Sequence, residues 1–505
     1  MTAAAQFVVA IMMVASCSSA SAPNQAADLS SPSTAETEGT TTQPTSTPTT
    51  STEPIDAELH PHGIGDVLFA DLGNPGVDVT HYDVDVAFDA ATGVLEGTVL
   101  LSVTATANLE DFSLDAVGLK VDSIVIDGQS GQFELADPEL VVTPAAPIAK
   151  GDSFQAAIVY STKPQPQQAV TGIANGWFVT PGGTFVMNEP NGARTWLPSN
   201  DHPSDKATHR FTIHVPAGLT GIANGVLEQH SINAGDETWV WSQADPMATY
   251  LIQVITGDYE IIDTLGPNGL ALTSVVLRSD RTLMQPLIDG MPEQIAFFEE
   301  KFGPYPLSSY GIAVTDSPGG LGMEQQGRPL YSRDDFAAAD RDDPRPGLMG
   351  ASQQYLLSHE LSHMWFGDAV TPVVWQDIWL NEGFATYAAW MWFEHVGYRS
   401  LAENIDRALR DRQKPGVPTG EPSVERMFEF GEVYGGGAVV LHALRLTIGD
   451  DAFFTLLRTW VAENKGTSRG TTDFITLAER VSGADLTAFF DDWLFATSLP
   501  DQLPT

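Results

Sequence analysis

LLSHELSHMWFGDAVTPVVWQDIWLNEGFA, residues Leu356 to Ala385, decides how this chain is read. His359 and His363 stand four apart, so on a helix both imidazoles leave one face. Two neutral imidazoles at that spacing reach one small cation at about 2.0–2.1 Å. Glu360 lies between them, giving HExxH, the pattern of a zinc hydrolase helix. Eighteen residues then separate His363 from Glu382, which opens a second apolar-patterned segment. A carboxylate there completes a two-histidine, one-glutamate ligand set and leaves a fourth zinc position open to water. The competing reading is a surface helix whose histidines only hydrogen-bond. The apolar neighbours Tyr355, Leu356, Leu357, Leu361, Met364, Trp365 and Phe366 argue against it, because ionisable side chains buried among them need partners.

The chain around this stretch has 505 residues, enough for two or three domains of roughly 100–200 residues each. Its 65 acidic residues outnumber 24 Lys and Arg, for a net charge of -41. Nucleic acid is therefore excluded as a partner, since phosphate binding needs clustered cationic side chains. Such acidity fits a strongly hydrated surface. The single cysteine, Cys17, permits no intrachain disulfide and no thiolate-built metal site.

Phe7 to Ala15 is apolar and is followed by Ser16 and Cys17. That run is too short to span a bilayer, which takes about 20 apolar residues. It suits the apolar region of a secretory signal, expected over residues 1–17. Val14 to Cys17, VASC, resembles the lipobox of bacterial lipoproteins, so Cys17 is the expected lipidation site and the membrane the expected partner through that anchor. No Lys or Arg precedes Lys120, which leaves a plain cleaved signal as the alternative. Residues 18–62 are rich in Ser, Thr and Pro and offer almost no large apolar side chains, so a disordered tether is expected. The location implied is extracytoplasmic, as a cell-surface lipoprotein or a secreted protein.

Residues 63–265 carry β signals. VTHYDVDVAFD (Val79 to Asp89) alternates polar and apolar residues, and VLEGTVLLSVTATA follows a turn. Further short strands punctuated by Gly, Asn, Asp and Pro argue a twisted sandwich or barrel-like domain, with an all-β saddle or sandwich implied by the resemblance given below. Within it, Met187 to His209 is polar and turn-rich and reads as loop, with Glu189 as a candidate ligand-facing carboxylate. Residues 266–500 turn mainly helical. Arg281 to Phe302 has a helical pattern, Leu307 to Asp316 reads as a strand, and SPGGLGMEQQG (Ser317 to Gly327) follows with Glu324 at its centre. Beyond the motif stretch come further helices, one preceded by VYGGGA with Tyr434. Taken alone, Glu324 fits a solvent-facing loop acid and Tyr434 fits core packing.

Several separate motifs, in the same order, resemble the M1 family of zinc aminopeptidases. HELSHMWFGD followed by DIWLNEGFA is similar to that family's two-part zinc signature, LGMEQ (Leu321 to Gln325) to its GxMEN exopeptidase motif, MNEPNGAR to its Gln-x-Glu-Pro-x-x-Ala-Arg segment, and VYGGGA to the segment holding its transition-state tyrosine. The resemblance implies an α+β protein, with an N-terminal all-β domain packed on a thermolysin-like, mainly α catalytic domain. It implies one Zn2+ per chain on His359, His363 and Glu382, with Glu360 as general base and Tyr434 on the oxyanion. It further implies that Glu324 and Glu189, beside Gly322 and Met323, hold the ammonium of a peptide with a free amino terminus. Leu321, Gln325 and Met187 depart from the family's Gly, Asn and Gln, which bears on the pocket lining. Longer relatives add a large helical cap over the site, and the resemblance implies a short form without it, with a more open cleft. Two other activities fit the same residues: a zinc endopeptidase, and a peptide-binding surface lipoprotein without catalysis.

Overall fold

The computed structural model describes residues 62–233, 235–319, 322–337, 350–412 and 416–504. The leader, Cys17 and all but the last residue of the Ser/Thr/Pro-rich segment lie outside the described residues. None of the described helices is long and apolar enough to cross a membrane.

The alternation read in Val79 to Asp89 produces the centre of an eight-stranded sheet. Val77–Asp89 runs antiparallel to Val94–Ala105 and parallel to Ala207–Pro216. Val79, Tyr82, Val84 and Val86 face the core while Thr80 and Asp85 face out, and an irregularity between Val79 and His81 resets the alternation. A five-stranded sheet follows, in which Gly183–Met187 lies between Ala174–Thr180 and Val254–Gly257. Met187 thus ends a strand, and the residues after it leave the sheet toward the metal motif.

The polar stretch that follows is loop, as its sequence reads, but it is buried. Residues 188–203 are almost entirely buried, with one short 3-10 turn at Ala193–Thr195. Most of its polar groups find partners within the protein, as buried groups generally do, while Oε1 of Glu189 and Nε of Arg194 have none. The Asn188 amide donates to the Ile252 carbonyl at 3.1 Å, Arg194 pairs with Asp71 at 2.8 Å, and His202 meets Asp66 at 3.1 Å. A polar composition normally marks the surface, and here it marks a hydrogen-bonded wedge instead.

Nearby, Glu139 is 1% exposed and neither of its carboxylate oxygens has a hydrogen-bond partner. Burial pushes its acid up to about 7, against the pull of the Arg194 guanidinium. The folded state thus holds a proton that the unfolded chain, titrating near 4.5, releases. Stability from this group is full below about pH 4.5 and falls as pH rises toward 7. Glu139→Gln is accordingly expected to leave the unfolding midpoint unchanged at pH 4.5 and to raise stability at pH 8 by on the order of 1 kcal/mol, read by denaturant titration.

A six-stranded mixed sheet joins the halves. Tyr259–Leu265 pairs with Ala271–Leu277, which pairs with Ala313–Thr315, then Leu330–Ser332, with Gly322–Met323 at the edge. The strand expected over Leu307 to Asp316 is broken into Ser309–Tyr310 and Ala313–Thr315. At the break, Gly311 lies so close to the Thr273 carbonyl that no side chain fits. The helices follow: Gln285–Phe302, Ala351–His363, Trp379–His395, Leu401–Arg412, Gly435–Ile448, Asp450–Asn464, Thr471–Ser482 and Thr487–Trp493. The observed class is α+β, a β-rich N-terminal part and a mainly helical remainder.

Candidate metal centre and catalytic site

The helix Ala351–His363 carries HExxH and packs along Trp379–His395, which carries Glu382 in its first turn. The two helices bring three donor atoms together. Nε2 of His359 lies 3.2 Å from Nε2 of His363 and 3.1 Å from Oε2 of Glu382, and His363 is 3.7 Å from the same oxygen. All three side chains are buried. Burial keeps both imidazoles neutral, pushing His359 down to about 3 and His363 down to about 4. Neutral imidazoles are the form that binds a metal. Nδ1 of His363 faces the Phe366 carbonyl at 3.1 Å, which fixes its proton there and leaves Nε2 as the donor. Two nitrogens crowded against a carboxylate oxygen, with nothing else between them, fit a tetrahedral divalent cation with one position to spare.

Around this triad the other sequence-predicted residues converge. Donor atoms of Glu324, Glu360 and His363 lie within 4.8 Å of one another, as do those of Glu189, Glu324 and Glu382. Glu324 follows the edge strand Gly322–Met323, and Glu189 follows the strand ending at Met187. Gly322 is required by closeness: a Cβ there would overlap Oε1 of Glu360. Met323 is buried beneath the same edge. Oε1 of Glu189 and Oε1 of Glu324 are buried without hydrogen-bond partners. Burial, with repulsion between the carboxylates, pushes Glu324 up to about 8 and Glu189 and Glu360 well above the usual carboxylate range, while burial alone takes Glu382 up to about 7 against the pull of His363. Carboxylates packed this way call for cations, and a metal ion on one side with an ammonium group on the other would reverse the shifts.

Tyr434 precedes Gly435–Ile448, and its ring stacks on His359 with centroids 5.8 Å apart. Burial and the nearby Glu382 charge hold its phenol well above the ordinary range. The glycine run places it: a Cβ on Gly437 would lie 2.6 Å from Cα of Gly383, so the two helices touch backbone to backbone just below Glu382. His442, further along, instead meets the Tyr387 hydroxyl at 3.1 Å and stays out of the cluster.

Sequence reasoning missed three supporting residues. Nζ of Lys206 donates to the carbonyl of Asp368 at 2.6 Å and to Oγ1 of Thr371 at 2.7 Å, capping the turn that ends the motif helix. The Tyr250 hydroxyl contacts the Gly367 carbonyl at 3.4 Å and receives the Asn381 amide at 3.2 Å, tying that turn to the residue before Glu382. Tyr355 stacks on His359 from one turn upstream. The Lys206 and Tyr250 contacts join segments up to 165 residues apart, so no local pattern announces them.

Comparison with known proteins places this architecture. Residues 78–251 match the Peptidase M1 N-terminal domain model, and residues 288–493 match the Peptidase family M1 domain model. Probable aminopeptidase 2 of Sulfurisphaera tokodaii is 26% identical over 440 residues, covering 84% of this chain and 54% of that protein. Leucyl aminopeptidase of Saccharolobus solfataricus is 24% identical over 449 residues, with the same 84% and 54% coverage. The chain thus spans about half the length of the curated relatives it matches. An M1 zinc metallopeptidase variant from Deinococcus radiodurans, crystallised with a Tyr-Ser-Ala substrate, superimposes with a TM-score of 0.77 at 30% identity, over 88% of this chain and 100% of that one.

Proposed function

Because the chain belongs to the M1 peptidase family, we propose that it is a zinc-dependent aminopeptidase, releasing the first residue from peptides with a free amino terminus. The observation that carries this reading is the pairing of two sites that share Glu382. On one side stand two neutral imidazoles, and on the other the unpartnered acids Glu324 and Glu189. His359, His363 and Glu382 would hold the zinc ion. When bound, zinc supplies Lewis acidity, lowering the pKa of a bound water from 15.7 toward about 7.

The chain's own residues do the rest. Glu360, one residue after a ligand, accepts a proton from the attacking water and passes it to the leaving amine. Its buried position raises its basicity, which suits that exchange. The Tyr434 hydroxyl donates to the oxygen on which charge grows as the carbonyl becomes tetrahedral. One such donor contributes about 2.7–4 kcal/mol. Glu324 and Glu189 grip the substrate's ammonium and so fix which peptide bond meets Glu360. An endopeptidase would leave these two buried acids without a cation, so the exopeptidase reading accounts for more of the site.

A panel of aminoacyl fluorogenic amides, run with and without a chelator, tests the proposal. Metal-dependent release of the first residue supports it. Release that survives full chelation contradicts it. We further propose that Cys17 carries a lipid anchor at the cell surface, on the strength of VASC alone. Cys17→Ser should then move the protein from the membrane fraction to the soluble fraction, and retention at the membrane would count against the anchor.

A further inference from the structure

The two histidines of the triad are not held alike. Nδ1 of His363 is fixed by the Phe366 carbonyl at 3.1 Å, whereas Nδ1 of His359 is buried without any hydrogen-bond partner. A ligating histidine ordinarily has its second nitrogen anchored, because that bond sets the tautomer and the direction of the ring. His359 therefore needs another device to aim Nε2 at Glu382 and His363.

Tyr355 supplies it. It precedes His359 by four residues on the same helix, where side chains lean toward the preceding turn and meet. The two rings stack with centroids 5.3 Å apart and planes 26° from parallel. Tyr355 is itself fixed at two further points. Its hydroxyl lies 3.2 Å from Oγ1 of Thr386, and its ring meets Phe393 edge-on at 6.0 Å. Thr386 and Phe393 both belong to Trp379–His395, the helix that carries Glu382, and Thr386 sits one turn after that ligand. Tyr355 thus ties the first histidine to the helix of the third ligand. Tyr434 also stacks on His359, but its hydroxyl is assigned above to the substrate carbonyl oxygen.

Building on the zinc reading above, we propose that Tyr355 is a positioning residue. Its ring orients His359, doing for that imidazole what a carbonyl does for His363, and its hydroxyl sets the spacing to the Glu382 helix. The stack carries most of the effect, because it acts on the ligand directly. The hydroxyl acts only through Thr386.

Zinc affinity, measured by competition with a chromophoric chelator, tests this apart from activity. Tyr355→Leu keeps apolar bulk against Phe393 but removes the ring, and is expected to weaken zinc binding by about tenfold or more, in the range typical of lost outer partners of a metal site. Tyr355→Phe restores the ring and should recover most of that loss. In the cobalt-loaded protein, the visible ligand-field bands should shift in Tyr355→Leu and return in Tyr355→Phe. The unfolding midpoints of the metal-free proteins, compared in parallel, separate this from general destabilisation. Zinc affinity and cobalt spectrum unchanged in Tyr355→Leu would overturn the proposal, as would a loss in Tyr355→Phe equal to that in Tyr355→Leu. A wild-type protein that binds no zinc would instead overturn the zinc reading itself.

Discussion

Glu360→Gln is expected to lower turnover by about 10²–10⁴-fold while zinc content stays at the wild-type level. The substitution keeps the shape of the side chain and the packing against Gly322 but removes the ability to take up a proton. Glu360 is not one of the three donors that converge at the motif's Nε2 atoms, so the metal should remain. The loss should fall on kcat, with KM changed little, because Glu324 and Glu189 still hold the substrate. Metal analysis beside steady-state kinetics checks both halves. Unchanged turnover would remove Glu360 from the role of base, and loss of zinc would move it into the ligand set.

His363→Ala is expected to bring activity to background through the metal. Two ligands remain, and the fixed pairing of Nδ1 with the Phe366 carbonyl goes with the imidazole. The affinity loss should exceed the roughly 10–100-fold that outer partners contribute. Dialysis against a zinc buffer followed by elemental analysis measures it. The fold should persist, since the helix packs along Trp379–His395 through many apolar contacts beyond this residue, and far-ultraviolet circular dichroism would confirm that. Wild-type zinc content in His363→Ala would place the metal elsewhere among the buried acids.

How much of this was legible beforehand differs from residue to residue. His359, Glu360 and His363 were readable because a four-residue spacing on a helix is a geometric statement in itself. Glu382 was readable by its distance from them. The α+β class followed from period-two alternation giving way to helical periodicity, and both domain models match in that order. Glu189 and Glu324 carried no comparable signal. Each follows the end of a strand in a different sheet, and only the resemblance to a family suggested that they meet. Lys206 and Tyr250 act through partners on other segments, which single-sequence patterns do not show, whereas Tyr355 stands one helical turn before His359, a spacing that could have found it. The segment at residues 188–203 is loop as read, but its burial was not legible because its hydrogen-bond partners, such as Asp66, Asp71 and Ile252, lie far along the chain. The break at Gly311 had a tertiary cause, the nearby Thr273 carbonyl.

The central claim is that one buried cluster of side chains joins a zinc site to an ammonium site. Its most direct measurement compares hydrolysis of a leucyl amide with that of its N-acetyl counterpart by the zinc-loaded protein. The free amine should be cleaved and the acetylated form left intact within detection, because acetylation removes the charge that Glu324 and Glu189 require. Equal cleavage of the two would contradict the account, whatever the metal content.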